Sequence, residues 1–175
     1  MRVIGGEFRS RKLKTPLGDS IRPTPDRLRE ALFNILAPRI EGLVFLDAYA
    51  GSGSVGIEAL SRGARRVIFI EKSRAALRAL QDNITTLGIR ERCDLHPDSA
   101  ATIITRFDAD IVFLDPPYEL EPEYAAVLDT LGDAPPQLVV VQHSVRFDTG
   151  DAHGALRRTR VLKQGDNALS FYAIP

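Results

Sequence analysis

An α/β fold, with a mostly parallel sheet covered by helices on both faces and an antiparallel hairpin at its C-terminal end, follows from three features of the sequence. Strand-sized apolar runs alternate with amphipathic helical segments between residues 43 and 143. That alternation requires crossover connections and therefore parallel pairing. A glycine-rich turn joins the first of these strands to the helix after it. Two final strand-like runs are separated by Gln164-Gly165-Asp166-Asn167 and no helix, so at least one of them runs antiparallel.

The elements follow in order. Residues 1–22 hold short apolar pieces (Val3-Ile4, Leu13, Ile21) among Gly, Pro and basic residues, and read as a basic extension or short hairpin ahead of one domain spanning 23–175. A helix then starts with Thr24 as N-cap, Pro25 in its first position and Asp26 in its first turn. Leu28, Ala31, Leu32, Ile35 and Leu36 continue it at helical spacing, and Pro38 stops it. Residues 43–47 form a strand, 54–62 a helix ended by Gly63, and 66–71 a second strand. Ser73 caps a helix that carries Leu77, Leu80, Ile84 and Leu87 on one face and ends at Gly88. Residues 93–96 are a weak third strand, 100–107 a helix, 110–115 a fourth strand, 121–131 a helix and 137–143 a fifth strand; 157–163 and 168–173 form the hairpin.

Composition removes several classes. A chain of 175 residues suits one domain, and that size buries enough surface to fold unaided. A single cysteine makes no internal disulfide, and no Cys/His group has zinc-site spacing, so no metal is expected. The apolar runs are far shorter than a membrane span, and Met1-Arg2-Val3-Ile4-Gly5-Gly6 lacks the apolar core of a signal peptide. A cytoplasmic monomer is the expectation. The 23 basic and 23 acidic residues cancel, but residues 1–29 carry eight positive and three negative side chains. A basic arm on an acidic body points to a polyanionic partner, with a solvated extension as the alternative.

Asp47-Ala48-Tyr49-Ala50-Gly51-Ser52-Gly53-Ser54-Val55-Gly56 matches G-x-G-x-x-G at Gly51, Gly53 and Gly56, and Glu71 follows Gly51 by 20 residues. Such a pattern suits a dinucleotide. However, an acidic residue ends the strand and three more residues precede Gly51. A carboxylate there repels a pyrophosphate and attracts a cation. S-adenosylmethionine, with an ammonium, a sulfonium and no phosphate, fits better, and Glu71 is placed to accept both ribose hydroxyls.

The fourth strand ends Asp115-Pro116-Pro117-Tyr118. Ligands of open parallel sheets bind at the carboxyl ends of the strands, where Asp47, Glu71 and Asp115 all fall. Consecutive prolines fix φ and remove two N–H donors, so the segment offers only acceptors. Acceptors at Asp115 and the Pro116 carbonyl would hold an exocyclic base amine and aim its lone pair at a methyl carbon. Tyr118 offers a face on which a base can stack.

These residues, with Asp98, resemble the class I S-adenosylmethionine-dependent methyltransferases of exocyclic amino groups. More narrowly, Arg22-Pro23-Thr24-x-Asp26-Arg27-x-Arg29-Glu30, Ala50-Gly51-Ser52-Gly53 and Glu58-Ala59-Leu60-Ser61-Arg62-Gly63-Ala64 resemble the RsmD family, bacterial enzymes that methylate guanine N2 in small-subunit (16S) ribosomal RNA. The resemblance implies a Rossmann-like sheet of seven strands with a reversed last strand. It implies S-adenosyl-L-methionine contacts at Asp47, Tyr49, Gly51, Ser52, Gly53, Glu71, Lys72 and Asp98, the last toward the adenine amine. It implies catalysis at Asp115, Pro116, Pro117 and Tyr118. The partner would be ribosomal RNA or a small-subunit assembly particle, with RNA contacts expected at Arg9, Arg11, Lys12, Arg22 and Arg27. The tail departs from the family pattern at Gln164 and Asn167, as does the fifth strand at Gln142-His143.

Asp98 could equally be a helix N-cap. His96, His143 and His153 form no pair with a nucleophile, and Cys93 reads as a small buried apolar residue. Arg157, Arg158, Arg160 and Lys163 either extend an RNA face or line a solvated strand. Competing functions are a DNA adenine-N6 methyltransferase, a non-catalytic RNA-binding factor of ribosome assembly and, more distantly, a nicotinamide oxidoreductase.

Overall fold

The computed structural model describes residues 1–16 and 24–175. Its elements are α1 (Asp26–Leu36), β1 (Val44–Asp47), α2 (Ser54–Ser61), β2 (Arg66–Ile70), α3 (Arg74–Leu87), β3 (Cys93–His96), α4 (Ala100–Ile103), β4 (Ile111–Leu114), α5 (Glu121–Asp133), β5 (Leu138–Ser144), β6 (Ala152–His153), β7 (Leu156–Gln164) and β8 (Asn167–Ala173). They form one sheet in the order β3-β2-β1-β4-β5-β8-β7-β6. The first five strands are mutually parallel, and β8 inserts antiparallel to β5 with β7 beside it. Strand order reverses between β1 and β4, which opens a crevice at their carboxyl ends. The fold is that of the class I methyltransferases, as expected.

Alternation along each strand divides the core in two. Phe45, Val67, Phe69, Ile111 and Phe113 face α1, α2 and α3, where Leu32, Phe33, Ile57, Leu60, Leu80 and Ile84 close over them. Leu46, Ile68, Ile70, Val112 and Leu114 face α4 and α5, under Ile103, Tyr124, Val127, Leu128 and Leu131. Strands buried on both faces are continuous apolar runs for this reason.

Several local expectations need correction. The sheet has an eighth strand, because Ala152–His153 pairs with the start of β7; two residues leave no periodicity to read. Thr24 does not cap α1: its hydroxyl donates to Gln142 Oε1 (3.1 Å), and Pro25 takes the N-cap position without a side-chain bond. The helix expected over 100–107 stops at Ile103 and tightens into a 3₁₀ turn over Ile104–Arg106. Two adjacent β-branched isoleucines crowd that turn.

The N-terminal segment doubles back on itself, with Val3 N–H on the Arg11 carbonyl (2.9 Å), Ser10 N–H on the Val3 carbonyl (2.9 Å) and a bridge between Arg2 and Lys12. Val3 and Leu13 are buried in the core under α1 to α3. The fully buried Glu58 of α2 accepts the Ile4 N–H (2.8 Å), the Gly5 N–H (2.9 Å) and Arg62 Nε (2.9 Å). Arg29, also fully buried, gives Nη2 to the Arg2 carbonyl (2.7 Å) and to Asp26 (3.1 Å). Burial lowers the Arg29 pKa, and Glu58 and Asp26 oppose that shift. Motif residues Arg29 and Glu58 therefore fasten the segment to the body.

Candidate active site

Asp47 ends β1 and is buried, and its Oδ2 accepts the Gly56 N–H at the start of α2 (2.9 Å). That bond folds the glycine loop back over the strand end. Gly53 precedes α2 with φ of 83°, and a Cβ there would meet Leu80 Cδ1 at 2.3 Å. At Gly56 a Cβ would meet Phe69 Cε1 at 2.3 Å, so this glycine serves close packing of α2 on β2. Glu71, just past β2, accepts the Gly51 N–H at Oε2 and the Ser73 N–H at Oε1, both at 2.7 Å. Each carboxylate oxygen keeps a further lone pair. The Tyr49 hydroxyl donates to Glu123 Oε1 (2.7 Å), tying the loop to α5.

Two adjoining cavities lie along this edge and share Tyr49, Gly51 and Asp115. The larger, about 440 Å³, is lined by Tyr49, Gly51, Glu71, Lys72, Asp98, Asp115, Pro116, Pro117 and Tyr118 among others. The smaller, about 160 Å³, is lined by Asp47, Gly51, Ser52 and Asp115, together with Met1, Thr15, Pro16 and Thr24. The structure thus gathers every expected cofactor and catalytic residue except Gly53, which lines neither cavity and acts through loop shape. It also brings the N-terminal segment to the smaller cavity, although a basic arm for RNA need not reach the cofactor. Asp98 is exposed at the cavity wall and accepts the Ser99 N–H (2.7 Å), while Ser99 holds the N-cap position of α4.

The electrostatics select a cation. Burial pushes the Asp47 carboxyl up to about 7, with Glu71 adding to the rise and the Gly56 N–H opposing it. Burial, helped by Asp47, pushes Asp115 up to about 8. Glu71, Asp98, Glu119 and Glu123 also line the larger cavity, against Lys72 alone of the basic residues described. Hydroxyls, amines and a sulfonium suit these walls, and a pyrophosphate does not. S-adenosylmethionine fits the donor set.

In the Asp-Pro-Pro-Tyr segment, the Pro116 carbonyl accepts the Tyr124 hydroxyl (3.1 Å), which leaves it one lone pair for a substrate amine. The Tyr118 hydroxyl donates to Asn167 Oδ1 (2.6 Å). Of the departures on the fifth strand and tail, Gln142 and Asn167 line the larger cavity. Sequence reading did not reach their role, nor that of Glu123. Only pairing β5 with β8 shows that residues 25 apart share a wall.

Of the expected RNA contacts, Arg9, Arg11 and Lys12 are exposed on the N-terminal segment and Arg27 on α1, whose first turn follows Pro25 at the cavity mouth. Arg22 lies outside the described residues. Arg158 is engaged by Asp148 and Asp151, which removes it from a free basic face. Cys93 is buried, and burial pushes its thiol up to about 11, so it is inert. Among the described residues there is no cluster that could hold a metal, and no helix is long and apolar enough to cross a membrane.

A family described as "Conserved hypothetical protein 95" matches residues 1–173. The chain belongs to that family. It is 37% identical over 170 residues to the "Ribosomal RNA small subunit methyltransferase D" of Escherichia coli (strain K12), covering 94% of this chain and 86% of the relative. It is 34% identical to the "Putative rRNA methyltransferase YlbH" of Bacillus subtilis (strain 168), covering 98% of each. The solved structure of the "Putative methyltransferase yhhF" from Escherichia coli superposes with a TM-score of 0.82 at 35% identity, over 98% of this chain and 96% of that one.

Proposed function

We propose that this family member is an S-adenosylmethionine-dependent methyltransferase that modifies small-subunit ribosomal RNA at the exocyclic N2 of a guanine. The observation that carries the reading is the shared cavity wall. Asp115, Pro116 and Tyr118 face the same space as Glu71 and the glycine loop. Donor and acceptor sites therefore adjoin. The names of the Escherichia coli and Bacillus subtilis relatives support ribosomal RNA as the substrate class.

When bound, S-adenosylmethionine supplies an electrophilic methyl group on a cationic sulfur. The chain's own residues do the rest by positioning. Glu71 is held by Gly51 and Ser73, so its remaining lone pairs are oriented for the ribose hydroxyls. Asp98 accepts from the adenine amine. Asp47 and Asp115 line the smaller cavity, where the cationic part of the cofactor belongs. Asp115 and the Pro116 carbonyl accept hydrogen bonds from the guanine amine and turn its lone pair toward the methyl carbon. Asp115 in its ionised form would take the proton released by the amine as the bound cofactor gives up its methyl group and leaves as a neutral thioether. Tyr118 stacks on the base. Arg9, Arg11, Lys12 and Arg27 bind phosphates, with residues 1–22 as an RNA-facing extension of the 23–175 methyltransferase domain. The enzyme works where ribosomal RNA is made, in the cytoplasm.

The test is methylation of unmodified small-subunit RNA, of small-subunit particles and of unmethylated DNA with radiolabelled cofactor, followed by nucleoside analysis. N2-methylguanosine is the expected product. Label in N6-methyladenosine of DNA, or none in either RNA sample, would overturn the reading.

A further inference from the structure

We propose that Asn167 is a positioning residue that fixes the Tyr118 ring for the target base. The inference rests on the methyl-transfer reading above and extends it to a residue on the antiparallel edge of the sheet. Pro116 and Pro117 have no N–H, so neither can fasten the segment after β4 through a backbone donor of its own. Side-chain bonds take over that task. The Tyr124 hydroxyl holds the Pro116 carbonyl, and Asn167 Oδ1 accepts the Tyr118 hydroxyl at 2.6 Å. Asn167 is 5% exposed and opens β8, where it pairs with Ser144 of β5 and Gln164 of β7. A residue held in the ladder on both sides is a rigid anchor. Tyr118 is half-buried and its ring lines the cavity with Asp115. With the hydroxyl pinned at the far end of the ring, the loop at Tyr118 and the anchor on β8 together fix its long axis, and because a phenol O–H lies in the ring plane, the bond to Asn167 also biases that plane. A stacking surface contributes to transfer only if its plane is set before the base arrives.

Four variants test this with unmethylated small-subunit RNA as substrate: Asn167→Leu, Tyr118→Phe, the pair together, and Asn167→Asp, which keeps an acceptor. Asn167→Leu should cut kcat/KM for RNA about 3- to 10-fold, the loss expected for one neutral hydrogen bond, with cofactor affinity unchanged. Tyr118→Phe leaves β8 untouched and should give a loss of the same size. The double variant should be no worse than either single one, and Asn167→Asp should recover activity to within about twofold of wild type. Multiplicative losses in the double variant, an Asp variant no better than Leu, or a loss that tracks cofactor affinity would each overturn the assignment. Failure of the wild-type chain to methylate ribosomal RNA would instead overturn the reading beneath it.

Discussion

Binding of the cationic cofactor should release protons, because the two carboxyls beneath it are held largely protonated by the fold. Asp47 titrates near 7 and Asp115 near 8, both against an ordinary 3.8, and burial is the main cause at each. An ammonium and a sulfonium favour the ionised forms, so the ligand competes with protons below neutral pH. If one proton leaves per binding event, affinity falls tenfold per unit below about pH 7. Between pH 7 and pH 5 that is about a hundredfold, or roughly 2.7 kcal/mol. The ligand's own amine, with a pKa of about 8 as for ordinary α-amino groups, stays protonated over this range and adds no slope. Titration calorimetry at pH 6.5 in two buffers of different ionisation enthalpy reads the released proton directly. Asp47→Asn, which can still accept the Gly56 N–H, should bind more weakly and flatten the pH slope. Affinity constant to within about threefold from pH 5 to pH 7, with the same enthalpy in both buffers, would refute the electrostatic account of the site.

Asp115→Asn should abolish methyl transfer yet raise thermal stability at high pH. The folded pKa lies above the unfolded one, so the protonated carboxyl stabilises the fold fully below about pH 4 and that contribution is gone above about pH 8. The amide escapes this loss by about 1–3 kcal/mol, so calorimetry at pH 9 should show a higher Tm than wild type and at pH 5 little difference. Gly56→Ala should lower Tm by about 3–10 °C through overpacking of about 1–3 kcal/mol, since the added carbon falls 2.3 Å from the Phe69 ring. An unchanged Tm would mean that α2 lifts off β2 without penalty. Charge reversal at Arg9, Arg11 and Lys12 should weaken RNA binding and lower the slope of log affinity against log salt by roughly 0.7–0.9 per lost phosphate contact. An unchanged slope would place the RNA elsewhere, with Arg160 and Lys163 the next candidates.

What could be read from the sequence was whatever depends on neighbours along the chain. The order of strands and helices follows from local periodicity, and the glycine loop and Asp-Pro-Pro-Tyr announce themselves because their backbone geometry restricts residue type. The strand-end rule then brings Asp47, Glu71 and Asp115 to one rim without coordinates. Contacts made by sheet order stayed hidden. Asn167 and Gln142 look like ordinary polar residues until β8 is seen beside β5, which places both in the larger cavity with Tyr118. Thr24 has the chemistry of an N-cap, and only the opposing Gln142 shows why its hydroxyl turns away. The reach of Met1, Thr15 and Pro16 to the smaller cavity depends on the docking at Glu58, a buried acid that sequence alone presents as one more charge on a helix.

The carboxylates of the site serve the backbone before they serve a ligand. Asp47 holds the Gly56 N–H, and Glu71 holds Gly51 and Ser73. Each acid expected to meet the cofactor thus also shapes the loop beside it. A loop already folded loses little conformational freedom when a ligand arrives, so more of the contact energy remains as affinity. Asp115 is built differently: burial and Asp47, with no backbone donor among the causes, set its pKa. Without a bond that favours the charged form, it stays poised to exchange a proton with the amine. The same edge of the sheet therefore carries two kinds of carboxylate. Those at the ends of β1 and β2 are tied to the loop backbone, and the one that follows β4 is left to take up the amine proton.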